Sequence, residues 1–266
     1  MPARFWSALS RLRWWLVPPL FVFAAGATWF AFDPGFKEIG SGGADAPASG
    51  AFEQRVHDYL LKNPQVIIES LQAFEERTRA AEESEGRKAL KSHADEVFHD
   101  PATPVGGNPA GDVTMVEFFD YNCPYCRKVE SVVLETEAAD PKLRIVYKEF
   151  PILGPNSVFA AKAALAANRQ GRYVAFHKAM MQVHGPADQT STLRVAADVG
   201  LDVAKLRTDM ADPAIQATID RNLALAQALR IAGTPGFVIG NRILRGATDA
   251  ATMRNLIAEA RTGPSP

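Results

Sequence analysis

Only two cysteines occur in these 266 residues, and just Pro124 and Tyr125 lie between them, at the point where a long apolar run stops. The run before them, Val113-Thr114-Met115-Val116-Glu117-Phe118-Phe119, has the composition of a central strand covered on both faces. Leu143 to Phe150 reads as a second strand, and Cys126 to about Ala139 supplies a crossover helix. The predicted unit is β–Cys-x-x-Cys–α–β, which makes the domain α/β. A disulfide closing so small a ring removes little entropy from the unfolded chain, so stability is a poor reason for the pair. Chemistry is the better one.

At a strand-to-helix junction Cys123 lies beside unpaired amide donors and the positive end of the helix dipole, which favours a thiolate. Cys123 is then the nucleophile, and Cys126 resolves the mixed disulfide formed there. Cys-x-x-Cys also occurs as half of a zinc site, but the second half is missing. His57, His93, His99, His177 and His184 are scattered without metal-ligand spacing. No resident cofactor or metal is expected. Two close thiolates do suit Cu(I), which leaves copper binding or delivery as a competing function, one that oxidation to a disulfide would block.

The N-terminus is set apart by composition. From Trp14 to Phe32 run nineteen uncharged residues behind Arg4, Arg11 and Arg13. That is enough to span a bilayer core of ~30 Å, with the remainder of the chain outside the cytoplasm. Residues 1–32 are read as an anchor, or as a cleavable signal peptide ending near Ala25-Gly26-Ala27. Residues 33–50, rich in Gly, Ser, Ala and Pro, read as a flexible linker. Residues 51–98 form a helical arm: one helix from Phe52, then Asn63-Pro64 as the cap and first turn of a second. In that second helix Ile67, Leu71, Phe74, Thr78 and Ala81 make a heptad-like seam, either a core face or a surface for self-association. The seam fades after Ala81, where Gly86 among charges is expected to bend or loosen the helix. The overall net charge of −1 points to neither nucleic acid nor acidic substrates.

From about 151 to 231 the sequence reads almost entirely as helix, with Asp212-Pro213 marking one start. Phe237-Val238-Ile239, a Gly240-Asn241 turn and Arg242 to Arg245 then form a hairpin, followed by a last helix around Asp249 to Arg261.

The stretch from Glu117 through Cys123-Pro-Tyr-Cys126, the long helical insertion, and Thr234-Pro235 about 110 residues further on together resemble the DsbA-type branch of the thioredoxin superfamily over residues 99–266. The resemblance implies a thioredoxin fold with a helical insertion. It also implies a cis-Pro235 facing the disulfide, with Thr234, Pro124 and Tyr125 at the substrate surface. In a buried strand Glu117 needs a reason, because an unpaired carboxylate there costs several kcal/mol. The resemblance places a buried acid at that position and matches Lys148 to the lysine accompanying it, a pair able to exchange protons with Cys126. A structural ion pair, or an acid reaching the surface, is the alternative. His177, on an apolar helical stripe, reads as a satisfied core histidine.

The arm, with Tyr59-Leu60-Leu61-Lys62-Asn63-Pro64, resembles the N-terminal segment of ScsC-type proteins, associated with copper tolerance. That implies a periplasmic disulfide isomerase or oxidase self-associating through residues 52–81, with a monomeric DsbA-like oxidase as the alternative. Its partners would be unfolded or misfolded exported proteins and a membrane redox protein.

Overall fold

The computed structural model describes residues 46–263, and the anchor or signal expected at residues 1–32 lies outside them. Among the described residues no helix is long and apolar enough to cross a membrane. The chain divides after Lys62 into two units. In the first, helix α1 spans Ala46–Lys62. Its first residues, 46–50, fall within the stretch read as linker.

The second unit opens with α2 (Gln65–Ser92) and α3 (Ala94–Phe98). Pro64, expected in the first turn of α2, occupies its N-cap position. α2 runs through Gly86 without a break. This residue is buried, and a Cβ there would lie 3.3 Å from both Ile243 and Arg245, so glycine permits the helix to approach that strand.

A five-stranded sheet follows, ordered β1-β3-β2-β4-β5. Its strands are β1 (Val105–Gly107), β2 (Val113–Phe119), β3 (Leu143–Glu149), β4 (Gly236–Ile239) and β5 (Arg242–Arg245). β2 and β3 are parallel, joined by α4 (Pro124–Ala139), and the other pairings are antiparallel. The short β1 was not anticipated: its Gly106 and Gly107 look like loop residues, and only pairing with Val146 to Arg144 makes them a strand.

Between β3 and β4 lie α5 (Pro155–Arg169), α6 (Tyr173–Met181), α7 (Gln189–Asp198), α8 (Val203–Met210) and α9 (Pro213–Ala228). α5 is the hub, packing on the other four. Its alanines at 160, 161, 163, 164, 166 and 167 are buried, and such small side chains let helices pack closely. Asp188, Asp202 and Asp212 each accept a backbone N–H at the start of α7, α8 and α9, satisfying donors that a helix start leaves open. α10 (Ala250–Thr262) closes the chain.

Strand alternation sends β2 into two cores. Met115 and Phe119 join Ile145, Tyr147, Phe237 and Ile239 beneath α4 and the helical insertion. Val116 and Phe118 join Val146 and Val238 on the other face, with Leu90, Val97, Phe98, Leu225 and Leu229. Each such side chain contributes roughly 1.5–3 kcal/mol on burial. The second core therefore includes the last turns of the arm, and the packed sheet domain draws on residues before 99.

Lys148 is also on that second face. Its Nζ donates to Glu96 O and to Thr103 Oγ1, both at 2.8 Å, with Asp100 3.7 Å away. Burial lowers its pKa from 10.5 to about 8, the Asp100 charge opposing the shift. The unfolded chain thus binds more protons than the folded one between these values, and stability rises with pH across that window. Lys148→Met removes this slope. Urea unfolding from pH 7.5 to 10.5 should show wild type gaining on the variant, by at most about 3 kcal/mol.

Candidate active site

Cys123 is the N-cap of α4, extended at φ −79° and ψ 117°, with Pro124 opening the first turn. A β-region residue followed by proline is what a helix start requires locally, because proline supplies helical φ where no N–H is needed. Both cysteines are free thiols. Cys123 is 4% exposed and Cys126 is fully buried behind it, while Tyr125 is 64% exposed on the rim. The Thr234–Pro235 bond is cis, as the resemblance implies, and the Cys123 thiol donates to Thr234 O at 3.3 Å. Residues 111 apart in sequence thus form one surface with Pro124 and Tyr125.

Several residues that build this corner gave no signal of their own. Asp120 is buried, and its carboxylate accepts from Asn122 N at 2.8 Å and Leu153 N at 2.9 Å. Its carbonyl accepts from Cys123 N at 3.0 Å. Asn122 reaches Ser157 and Ala187, and Arg127 donates to the carbonyls of Tyr121, Val183 and Gly185, tying the cysteine turn to the helical insertion. Exposed Ile152 and Leu153 extend the apolar rim.

Glu117 is fully buried, and neither carboxylate oxygen has a hydrogen-bond partner. Burial first, then the charges of Glu130 and Glu149, push its carboxyl well above the usual carboxylate range. Burial likewise pushes the Cys126 thiol up, and the Glu117 charge adds to that shift. Glu117 therefore belongs with Cys126. Lys148 does not belong with Glu117: the parallel register sets Glu117 against Tyr147 and Phe118 against Lys148, so the two side chains leave opposite faces of the sheet. One residue of register separates the observed arrangement from the expected pair.

The companions of Glu117 are Glu130 of α4 and His177 of α6, with one ligand atom from each of the three within 4.8 Å of the others. His177 is buried as expected, but satisfied only in part. Its Nδ1 lies 3.2 Å from the Tyr121 hydroxyl, whereas Nε2 has no partner. Tyr121 and Tyr173 both donate to Glu149 Oε1, at 3.2 and 2.7 Å. A buried glutamate four residues after Cys126, on the inward face of its helix, was legible in the helical period; its meeting with His177 was not.

A thiol at a helix start, a buried second thiol and a proline loop against the first are features of a known domain. The description "DSBA-like thioredoxin domain" matches residues 114–258, over half the chain. The chain belongs to that family. A second model, the copper resistance protein ScsC N-terminal domain, matches residues 50–81. Among solved structures, a thioredoxin-like oxidoreductase from Silicibacter pomeroyi is 49% identical, covering 64% of this chain and 98% of its own, with TM-score 0.63. Proteus mirabilis ScsC in a compact conformation is 27% identical, covering 80% of this chain and 98% of its own, with TM-score 0.62. The family is that of DsbA-like thiol–disulfide proteins.

The curated relatives include a Na(+)/H(+) antiporter NhaA of Herminiimonas arsenicoxydans, 29% identical over 63% of this chain, of which this chain spans only 28%. The thiol:disulfide interchange protein DsbA of Bordetella parapertussis is 28% identical over 53% of this chain and 69% of its own length. The chain spans about a quarter of the antiporters it matches, so their transport activity does not carry over.

Proposed function

We propose that this protein is a periplasmic disulfide isomerase or oxidase acting on misfolded exported proteins. The observation that carries this reading is the Cys123 thiol at the start of α4, 3.3 Å from Thr234 O, with Cys126 buried behind it. In the oxidised protein a client thiolate attacks the Cys123 sulfur, the Cys123–Cys126 bond breaks, and Cys126 leaves and takes up a proton. Cys126 resolves the reverse step by attacking the mixed disulfide once it has lost that proton. The hydrogen that the reduced Cys123 thiol gives to Thr234 O is absent both in the Cys123–Cys126 disulfide and in the mixed disulfide. The carbonyl is then free to accept an amide N–H from the client, beside Pro235, Pro124 and Tyr125. Glu117, adjoining Cys126 in the core, is the residue of the expected pair that acts on it; Lys148 stands outside that role.

The periplasmic reading is supported by the basic, then apolar N-terminal sequence and by relatives such as the periplasmic thioredoxin-like protein of Salmonella enterica. In this reading residues 14–32 tether the chain to the inner membrane, or a signal is cleaved, and a membrane redox partner resets the cysteines. Phe52, Tyr59, Ile67, Leu71 and Phe74 are more than two-fifths exposed, which supports self-association through residues 52–81. Copper capture by the thiols is the weaker reading, because Cys126 has no exposed surface from which to share an ion. Reduced protein should reactivate scrambled ribonuclease and reduce insulin. Stoichiometric Cu(I) binding with neither activity would overturn this function.

A further inference from the structure

Glu117, Glu130 and His177 come from a strand, a helix and the helical insertion, and with both carboxyls ionised their facing atoms are all acceptors. Both Glu117 oxygens, Glu130 Oε2 and His177 Nε2 have no hydrogen-bond partner, although the three residues are 0–4% exposed. The neighbouring network assigns the imidazole tautomer. The Tyr121 hydroxyl donates to Glu149, which leaves its oxygen to accept from His177 Nδ1 and turns the Nε2 lone pair toward Glu130. Nε2 and Oε2 are 3.6 Å apart, too far for a shared proton to make a hydrogen bond. Two ligands of one zinc ion, each ~2.1 Å from it at the tetrahedral angle, lie about 3.4 Å apart.

We propose that these residues form a buried site for one divalent first-row transition cation of the zinc type. Two carboxylates neutralise its charge in a medium where an unpaired ion is costly. The imidazole selects against calcium and magnesium, and the lack of sulfur selects against Cu(I). Glu117 binding through both oxygens completes four ligands, so the site is closed and structural, and in the metal-bound protein Glu117 is not the group that exchanges a proton with Cys126. Tyr121, held by Glu149, orients the histidine from behind. The ion pins α6 to β2 and α4, fastening the insertion beneath the cysteine turn.

The full chain carrying Cys123→Ser and Cys126→Ser, stripped with chelator, is titrated with Co2+ as a coloured zinc substitute. One equivalent should give visible ligand-field bands without sulfur charge transfer, lost on adding Zn2+, and Zn2+ should raise the thermal midpoint. His177→Gln and Glu130→Gln, checked for folding by near-ultraviolet circular dichroism, should each weaken binding by at least ~10-fold. Unchanged affinity in both variants would assign the cation to surface histidines. Absence of bands at millimolar Co2+ would leave only protons or a buried water in the cluster. Either result overturns the site, and because both thiols are absent neither bears on disulfide exchange. Should a variant fail to fold, the stoichiometry and spectrum of the cysteine-free chain still decide.

Discussion

Cys123→Ser should reduce insulin reduction and ribonuclease reactivation to the uncatalysed background, while Cys126→Ala should accumulate client proteins covalently bound through residue 123. The asymmetry follows from position. Cys123 occupies a helix start beside the client surface, whereas Cys126 is fully buried and its thiol is pushed up by that burial. A client thiol can reach only the first sulfur, and the second is the protein's own means of releasing it. Non-reducing electrophoresis with mass spectrometry reads the outcome, and trapping through residue 126 would reverse the assignment.

Removing residues 1–81 should leave a folded, Cys123-reactive domain that has lost isomerase activity, whereas removing residues 1–97 should cost most of its stability. The first cut takes away the exposed apolar residues Phe52, Ile67, Leu71 and Phe74. If they assemble copies of the chain, a monomer no longer holds a client near several cysteine pairs, and simple dithiol oxidation persists or rises. Light scattering of the intact chain alongside both activities tests this: a monomeric intact chain, or undiminished isomerisation after the cut, refutes it. The second cut also removes Leu90 and Val97, at 1% and 0% exposure, and the Glu96 carbonyl that accepts from Lys148. Losing large buried side chains costs roughly 2–5 kcal/mol each, comparable together to the stability of a whole domain. Urea unfolding of the two truncated proteins should separate them clearly.

The different fates of the two cuts show where local pattern stops being informative. The seam from Ile67 to Ala81 is a regular spacing on one helix and can be read without a fold. Nothing local shows that the charged stretch beyond it carries a glycine fitted against Ile243 and Arg245, or that Val97 and Phe98 complete a core beneath the sheet. Those contacts join segments far apart in the chain.

β2, β3, the hairpin and most of the insertion helices were legible because each repeats a short-range signal: an unbroken apolar run, a turn pair, an aspartate before proline. Cys123 and Cys126 were legible for the same reason, since their chemistry depends on a strand ending and a helix beginning within a few residues. Tertiary structure decided the company each residue keeps. The family resemblance pairs Glu117 with Lys148 on adjacent strands, yet a one-residue offset in register places them on opposite faces of the sheet. It likewise brought Glu130 and His177 to Glu117, and Thr234 to Cys123, across separations that no local period spans.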